Sequence, residues 1–221
     1  MPKIVQIRGV WDRWKELTQF LALSDHVLLS QAEQWRSLPI ANKDKVDIIR
    51  STGPYSFQTT GLTYEKILDD RHVLSSVVLL NSYALVEEHV RKLYSALEMD
   101  PKANTSLLVQ FRSGANSING VLASGGIEAW ATKILDDLSR TWTDVESGRA
   151  GIVEAATVRN GIAHGESEVT QPMINRVSAV GGTLPWGLGF PIKLNIALLK
   201  EYRHRLRSFS RVIEHAAEQL S

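Results

Sequence analysis

Three residues whose types suit chemistry stand close together in the run Arg159-Asn160-Gly161-Ile162-Ala163-His164-Gly165. Arginine is a permanent cation with a planar fork of donors. Histidine titrates near neutrality, and an amide both donates and accepts. These are the groups of anion binding and proton transfer. Their setting is odd, because the helical pattern around them is small and apolar: Ile152, Val153, Ala155, Ala156 and Ala163 share a broad face. At helical spacing Arg159 falls on that face, Asn160 lies near its edge, and His164 lies about 140° round from Arg159. One regular helix cannot aim Arg159 and His164 at one small target. Either the last turn unwinds at Gly161 or Gly165, or two copies of the helix meet in a homodimer and pool their side chains. Gly148, Gly151 and the alanines permit close backbone approach in both arrangements. A structural reading stands beside these. Arg159 would be a buried ion pair with Glu87 or Glu88, since an unpaired buried charge is costly. His164 would be favoured by the negative end of the helix dipole.

The elements that must position this run are helical. Residues 10–36 carry Val10, Trp14, Leu17, Leu21 and Trp35 at helical spacing, with Asp25 and His26 interrupting, so a kink or two helices are expected before Pro39. The stretch 40–62 reads as a polar loop with a Gly53-Pro54 turn signal and one short helix near Asp44–Arg50. Residues 63–98 hold the longest helical signal. From Val73 to Val86 it is apolar in almost every direction, which predicts a central helix packed all round. Asp100-Pro101 stops it. Within 104–125, Leu107, Leu108, Val109 and Phe111 suit a short helix between glycine breaks. Residues 127–142 form an amphipathic helix through Ile127, Trp130, Ile134, Leu135 and Leu138. Thr143 and Glu146 have capping-box spacing and open the helix that carries the motif and ends at Gly165. Residues 166–192 are a long irregular connection rich in Gly and Pro, of the kind that serves as a lid or functional loop. The final helix, 193–220, carries a near-heptad stripe: Leu198, Tyr202, Leu206, Phe209, Ile213, Ala216 and Leu220. No stretch shows strand alternation and no repeat recurs at a fixed period. The fold class is all-α, a helical bundle of four to five main helices. Residues 1–62 are an N-terminal helical extension, and 63–221 a core bundle with the insert 166–192, in one domain.

Composition narrows the function classes. The chain has 221 residues, 43% hydrophobic, with a net charge of +1 and no cysteine. A core is available, polyanion binding by bulk charge is not indicated, and disulfides and thiolate metal sites are excluded. The first residues lack a signal-peptide h-region, and no apolar run approaches the ~18 residues of a membrane span. A soluble, cytoplasmic protein without membrane attachment is expected. The six histidines are scattered with no metal-ligand spacing, so no metal and no cofactor are expected. P-loop, dinucleotide and serine-hydrolase motifs are lacking.

Two further constellations have a functional and a plain reading. Lys200, Arg203, Arg207 and Arg211 fall within roughly 80° on the last helix. They form either a phosphate-backbone track for RNA, extended by Arg176 and Lys193, or a solvated face. Trp186 and Phe190 either stack on unpaired bases or pin their loop to the body.

The run Arg159-Asn160-Gly161-Ile162-Ala163-His164 resembles the signature of the HEPN superfamily, an arginine followed by a polar residue with a histidine a few positions on. Tyr83-Ala84-Leu85-Val86-Glu87-Glu88-His89-Val90-Arg91 resembles the acidic second helix of these proteins. The resemblance covers neither the first 60 residues nor the insert. It implies an all-helical bundle that dimerises around the motif and acts as a metal-independent endoribonuclease, as a toxin or phage-defence effector with an antitoxin or defence-system partner. Attack of a ribose 2′-OH on its own phosphate would use His164 as acid or base, Arg159 as phosphate clamp, Asn160 as orienter, and Glu87 or Glu88 as buttress. Toxin members with a tyrosine two residues past the histidine are modified there by the antitoxin. This chain has Glu166, so that scheme does not carry over. The alternative implied by the same fold is a non-catalytic helical module that binds a partner protein or RNA.

Overall fold

Asp25 and His26 do not break the first helix. In the computed structural model, which describes residues 7–39, 47–52 and 55–220, α1 (Arg8–Ser37) runs for 30 residues without a kink into two helices. The Asp25 carboxylate reaches sideways instead and accepts from Arg71 Nε at 2.8 Å. The expected polar loop is a hairpin. β1 (Asp47–Thr52) pairs antiparallel with β2 (Tyr55–Thr60), from Asp47↔Thr60 to Thr52↔Tyr55. Asp47–Arg50 is therefore strand rather than helix; the rest of that expected helix, and the Gly53-Pro54 turn, lie outside the described residues. Aromatic and β-branched residues in Tyr55–Thr60 suit a pleated strand, and pairing across the chain overrides weak helical propensity in 47–50.

The single helix expected over 63–98 is two. α2 (Gly61–Asp69) begins at Thr60, whose hydroxyl accepts from Thr63 N–H. α3 (His72–Met99) follows a two-residue turn. Asp70 Oδ1 accepts from His72 N–H at 2.7 Å, and the Arg71 guanidinium donates to the Leu68 carbonyl. One turn thus supplies a side-chain partner to each of the two helix ends. Residues 104–125 hold two short helices, α4 (Ser106–Arg112) and α5 (Ile118–Ala123), each opened by a hydroxyl cap from Thr105 or Ser117.

α6 (Ile127–Asp137) stops short of 142. Its last residue, Asp137, accepts from the Thr105, Ser106 and Tyr94 hydroxyls and from Leu107 N–H. The capping box sits two residues earlier than expected: Thr141 and Asp144 cap a 3-10 turn, Trp142–Asp144. Glu146 instead lies 2.8 Å from His204. The motif helix, α7 (Gly148–Ala163), starts without a side-chain cap. The insert is not structureless. It holds α8 (Gln171–Ser178) and a backbone-paired stretch around the bridge Glu168↔Pro191. α9 (Ile196–Leu220) closes the chain.

The architecture is an all-α bundle. α3 packs against α1, α7 and α9, and α7 also meets α6, α8 and α9. One core joins Val10, Trp14 and Leu21 of α1, Leu79, Val86 and Val90 of α3, Ile152 and Ala155 of α7, and Tyr202, Phe209 and Ile213 of α9. The end of α1 packs separately on α2 through Ala32, Trp35 and Leu68. The expectation that α3 is buried on every side fails at its start, where Val73 and Val77 are 70% and 45% exposed. No helix among the described residues is long and apolar enough to cross a membrane.

Candidate functional site: a cation without an acid

α7 stays regular to its end. His164 N–H still donates to Asn160 O at 3.0 Å. The chain then leaves through Gly165, at φ 77, with Gly165 N–H on Ile162 O and Glu166 N–H on Gly161 O. This double bond pattern with a left-handed glycine is a Schellman cap. The helix does not unwind at Gly161, and only beyond His164 does it break. Arg159 and His164 therefore stay about 140° apart around the axis.

Arg159 is half-buried and crosses to α3. Its guanidinium carbon sits 4.5 Å from the centre of the Tyr83 ring, and its Nη1 donates to Asn160 Oδ1 at 2.9 Å. Its Nε is buried without a hydrogen-bond partner. Among the described residues it has no ion pair. The two carboxylates expected to neutralise it are engaged elsewhere. Glu87 pairs with Arg91 at 3.4 Å. Glu88 pairs with Arg13 and with Lys92. Burial alone would raise the Glu88 carboxyl; the hydrogen bonds from Arg13 and Lys92 outweigh it and hold the group below its ordinary value. Of the acidic pair only Glu87 acts near the site, and at a distance. Burial, with the Glu87 charge, pushes the Tyr83 hydroxyl up to about 12, while Arg159 and Arg176 pull the other way. Tyr83 is thus a neutral ring under a cation.

A second pair lies beside this cluster. Arg176 of α8 grips Glu128 of α6 with two hydrogen bonds, at 2.9 and 2.6 Å. Burial would raise the Glu128 carboxyl, and Arg176 holds it below its ordinary value. Arg176 is consumed by that pair and does not extend an RNA track. Gly161 has a packing role: a Cβ there would stand 3.0 Å from Met173 Cε and 3.4 Å from Ile192 Cδ1. Met173 and Ile192 of the insert therefore pack directly on the motif helix at Gly161, while Arg176 of the same insert acts on Tyr83 beneath Arg159. His164 is exposed at the helix end.

The basic residues of α9 do not form one track. Lys200 and Arg207 are exposed. Arg203 is 6% exposed and donates to Trp14 O and Thr18 Oγ1 of α1, with its guanidinium 5.0 Å over the Trp14 ring. Burial, with the nearby Arg207, draws it down to about 10. Arg211 lies 3.9 Å over the Trp11 ring and pairs with Glu214. α1 takes up only part of this basic face, burying Arg203 and placing Trp11 against Arg211, which sequence periodicity of α9 alone cannot show. Trp186 packs on the core, whereas Phe190 is 64% exposed.

A cleft of about 910 Å³ lies between the α2–α3 turn and residues 193–195, lined by His72, Asp70, Lys66 and Lys193. It contains neither Arg159 nor His164. Among the described residues no three His, Asp or Glu side chains converge as metal ligands. No protein-family model matches the chain, and no curated protein or solved structure does.

Proposed function

We propose that the chain is a metal-independent endoribonuclease of the HEPN kind, working as a homodimer around α7. The observation that carries this reading is Arg159. A half-buried guanidinium held by a ring and an amide, with no carboxylate partner among the described residues, is a receptor waiting for an anion. A phosphodiester suits its planar fork. The chemistry is attack of the ribose 2′-OH on the adjacent phosphorus. The P–O5′ bond breaks, leaving a 2′,3′-cyclic phosphate and a free 5′-OH. His164 moves a proton at one of those two oxygens, Arg159 holds the developing charge on the phosphoryl oxygens, and Asn160 orients Arg159.

The angle between Arg159 and His164 favours a site shared between two copies. An exposed apolar face on α1 and α3 supports the second copy: Phe20, Leu23, Val27, Val73 and Val77 are each 45–70% exposed. The test is incubation of the purified chain with total RNA in chelator, followed by end-group analysis. Arg159→Ala and His164→Ala are each expected to lose at least about a hundredfold in cleavage rate with unchanged helical content. Full activity in either variant, or wild-type cleavage abolished by chelator, would sink the reading. A role in toxin–antitoxin or defence systems belongs to the same proposal and depends on that cleavage.

A further inference from the structure

Phe190 is an exposed ring on a backbone with little freedom. Its N–H donates to Gly187 O at 3.1 Å and its carbonyl accepts from Val169 N–H at 2.9 Å. Gly189 takes φ 74, a turn that suits glycine, and its N–H donates to Val169 O at 2.9 Å. The neighbouring bridge Glu168↔Pro191 and the bond from Ile192 N–H to Ser167 O continue the pairing. Packing falls to the inward members of these two segments: Val169 and Ile192 are 2% and 3% exposed. Phe190 is 64% exposed, and a Cβ on Gly187 would stand 3.4 Å from its ring. The ring rests on bare glycine backbone and leaves most of its surface to solvent. The core does not use it.

Its position links it to the motif. Val169, hydrogen-bonded to Phe190, lies five residues past His164, which is at most about 18 Å of chain. Met173 and Ile192 of the same segment pack at Gly161, about 60° round the helix from His164. The exposed residues between them include Glu166 and Glu168, which repel phosphate. A nucleic acid here would be held by a base and not by its backbone.

We propose that Phe190 is a stacking platform for one unpaired base of single-stranded RNA. Its placement next to the scissile phosphate rests on the ribonuclease reading above. An aromatic face accepts any base and is sequence-tolerant, whereas a base inside a duplex has no free face to offer. The platform therefore selects single strands over duplexes.

The experiment is fluorescence anisotropy with a labelled, unstructured 2′-O-methyl oligoribonucleotide, alone or annealed to its complement. It lacks the attacking hydroxyl, so binding is read without cleavage. Phe190→Ala is expected to weaken single-strand binding about tenfold, and Phe190→Tyr to stay within about twofold of wild type. Phe190→Leu, apolar but without a ring, should resemble the alanine variant. Duplex binding should be the same for all four chains, and their thermal melts should coincide. Equal single-strand affinity for wild type and Phe190→Ala overturns the proposal. So does restoration by leucine, or a wild type that does not bind the single strand. Loss of binding in Phe190→Ala from a wild type that never cleaves RNA supports the platform while removing the ribonuclease. Cleavage with no effect of Phe190→Ala does the reverse.

Discussion

His89 shows how much a single side chain can hide. It is 1% exposed on α3, both ring nitrogens lack partners, and its ring stands 5.3 Å edge-on to Trp11. Around it α9 contributes Arg211 and α1 contributes Trp11, whose indole donates to Glu214. Burial, with the nearby Arg211 charge, depresses His89 to about 4. Below the ordinary value near 6.5 the unfolded chain takes up a proton that the folded chain refuses until about pH 4. Stability therefore falls with pH across that window, by roughly 3 kcal/mol through this residue. Urea unfolding at pH 7 and pH 4 should show a decline in the wild type that is smaller by about that amount in His89→Leu. Equal declines would remove the assignment. In the sequence His89 reads as part of the polar second half of α3. Its burial follows from α1 and α9 closing over it, which local pattern does not report. The same limit applies to the candidate site. Arg159, Asn160 and His164 stand out by type and spacing, and their angular separation follows from helix geometry. Tyr83 under Arg159 does not stand out, because that contact joins two helices far apart in the chain. The diversion of Glu88 to Arg13 is likewise decided by α1.

Between elements, small residues fix distances. Gly151 on α7 has Ser147 Cβ 2.5 Å and Arg205 Cδ 3.3 Å from where a Cβ would stand. Arg205 of α9 crosses there to donate to Gly151 O and to Glu154, itself bonded to the Tyr202 hydroxyl. Gly151→Ala should force Ser147 aside, crowd Arg205 on Glu154 and lower stability by about 1–3 kcal/mol, despite the better helix propensity of alanine. A denaturant midpoint at or above wild type would show that Ser147 and Arg205 yield without cost. The long helices were legible in the sequence because their stripes are long, as in α9, and Gly165 was a correct stop for α7. Misplaced boundaries have a local and a distant cause. Asp70 and the Thr141–Asp144 box bond groups two or three residues away, which apolar periodicity does not register, whereas the partners of Asp137 lie 30 or more residues off and are set by folding. The hairpin was missed because its stability lies in pairing, which neither strand displays alone.

At the scale of the whole molecule the exposed apolar residues of α1 and α3 bear on assembly. The pairs Arg13–Glu88 and Asp25–Arg71 lay α1 antiparallel to α3, which brings Leu23 and Val27 towards Val77 and Val73. Apolar residues exposed on adjacent helices mark an interaction surface more than isolated ones do. If that face joins two copies, Leu23→Glu with Val77→Glu should convert a dimer to a monomer in sedimentation velocity, abolish RNA cleavage and leave the helical circular dichroism intact. A wild type that sediments as a monomer at tens of micromolar would remove the shared site.

The guanidinium of Arg159, held by a ring and an amide and without an ion pair among the described residues, has one more consequence, and it is thermodynamic. An anion that binds it binds the native state and not the unfolded chain, where this arrangement is lost. Folding and anion binding are then linked equilibria. An anion at a hundredfold over its Kd would add about 2.7 kcal/mol to the unfolding free energy. Substrate would thus act as a folding ligand for the bundle that holds it.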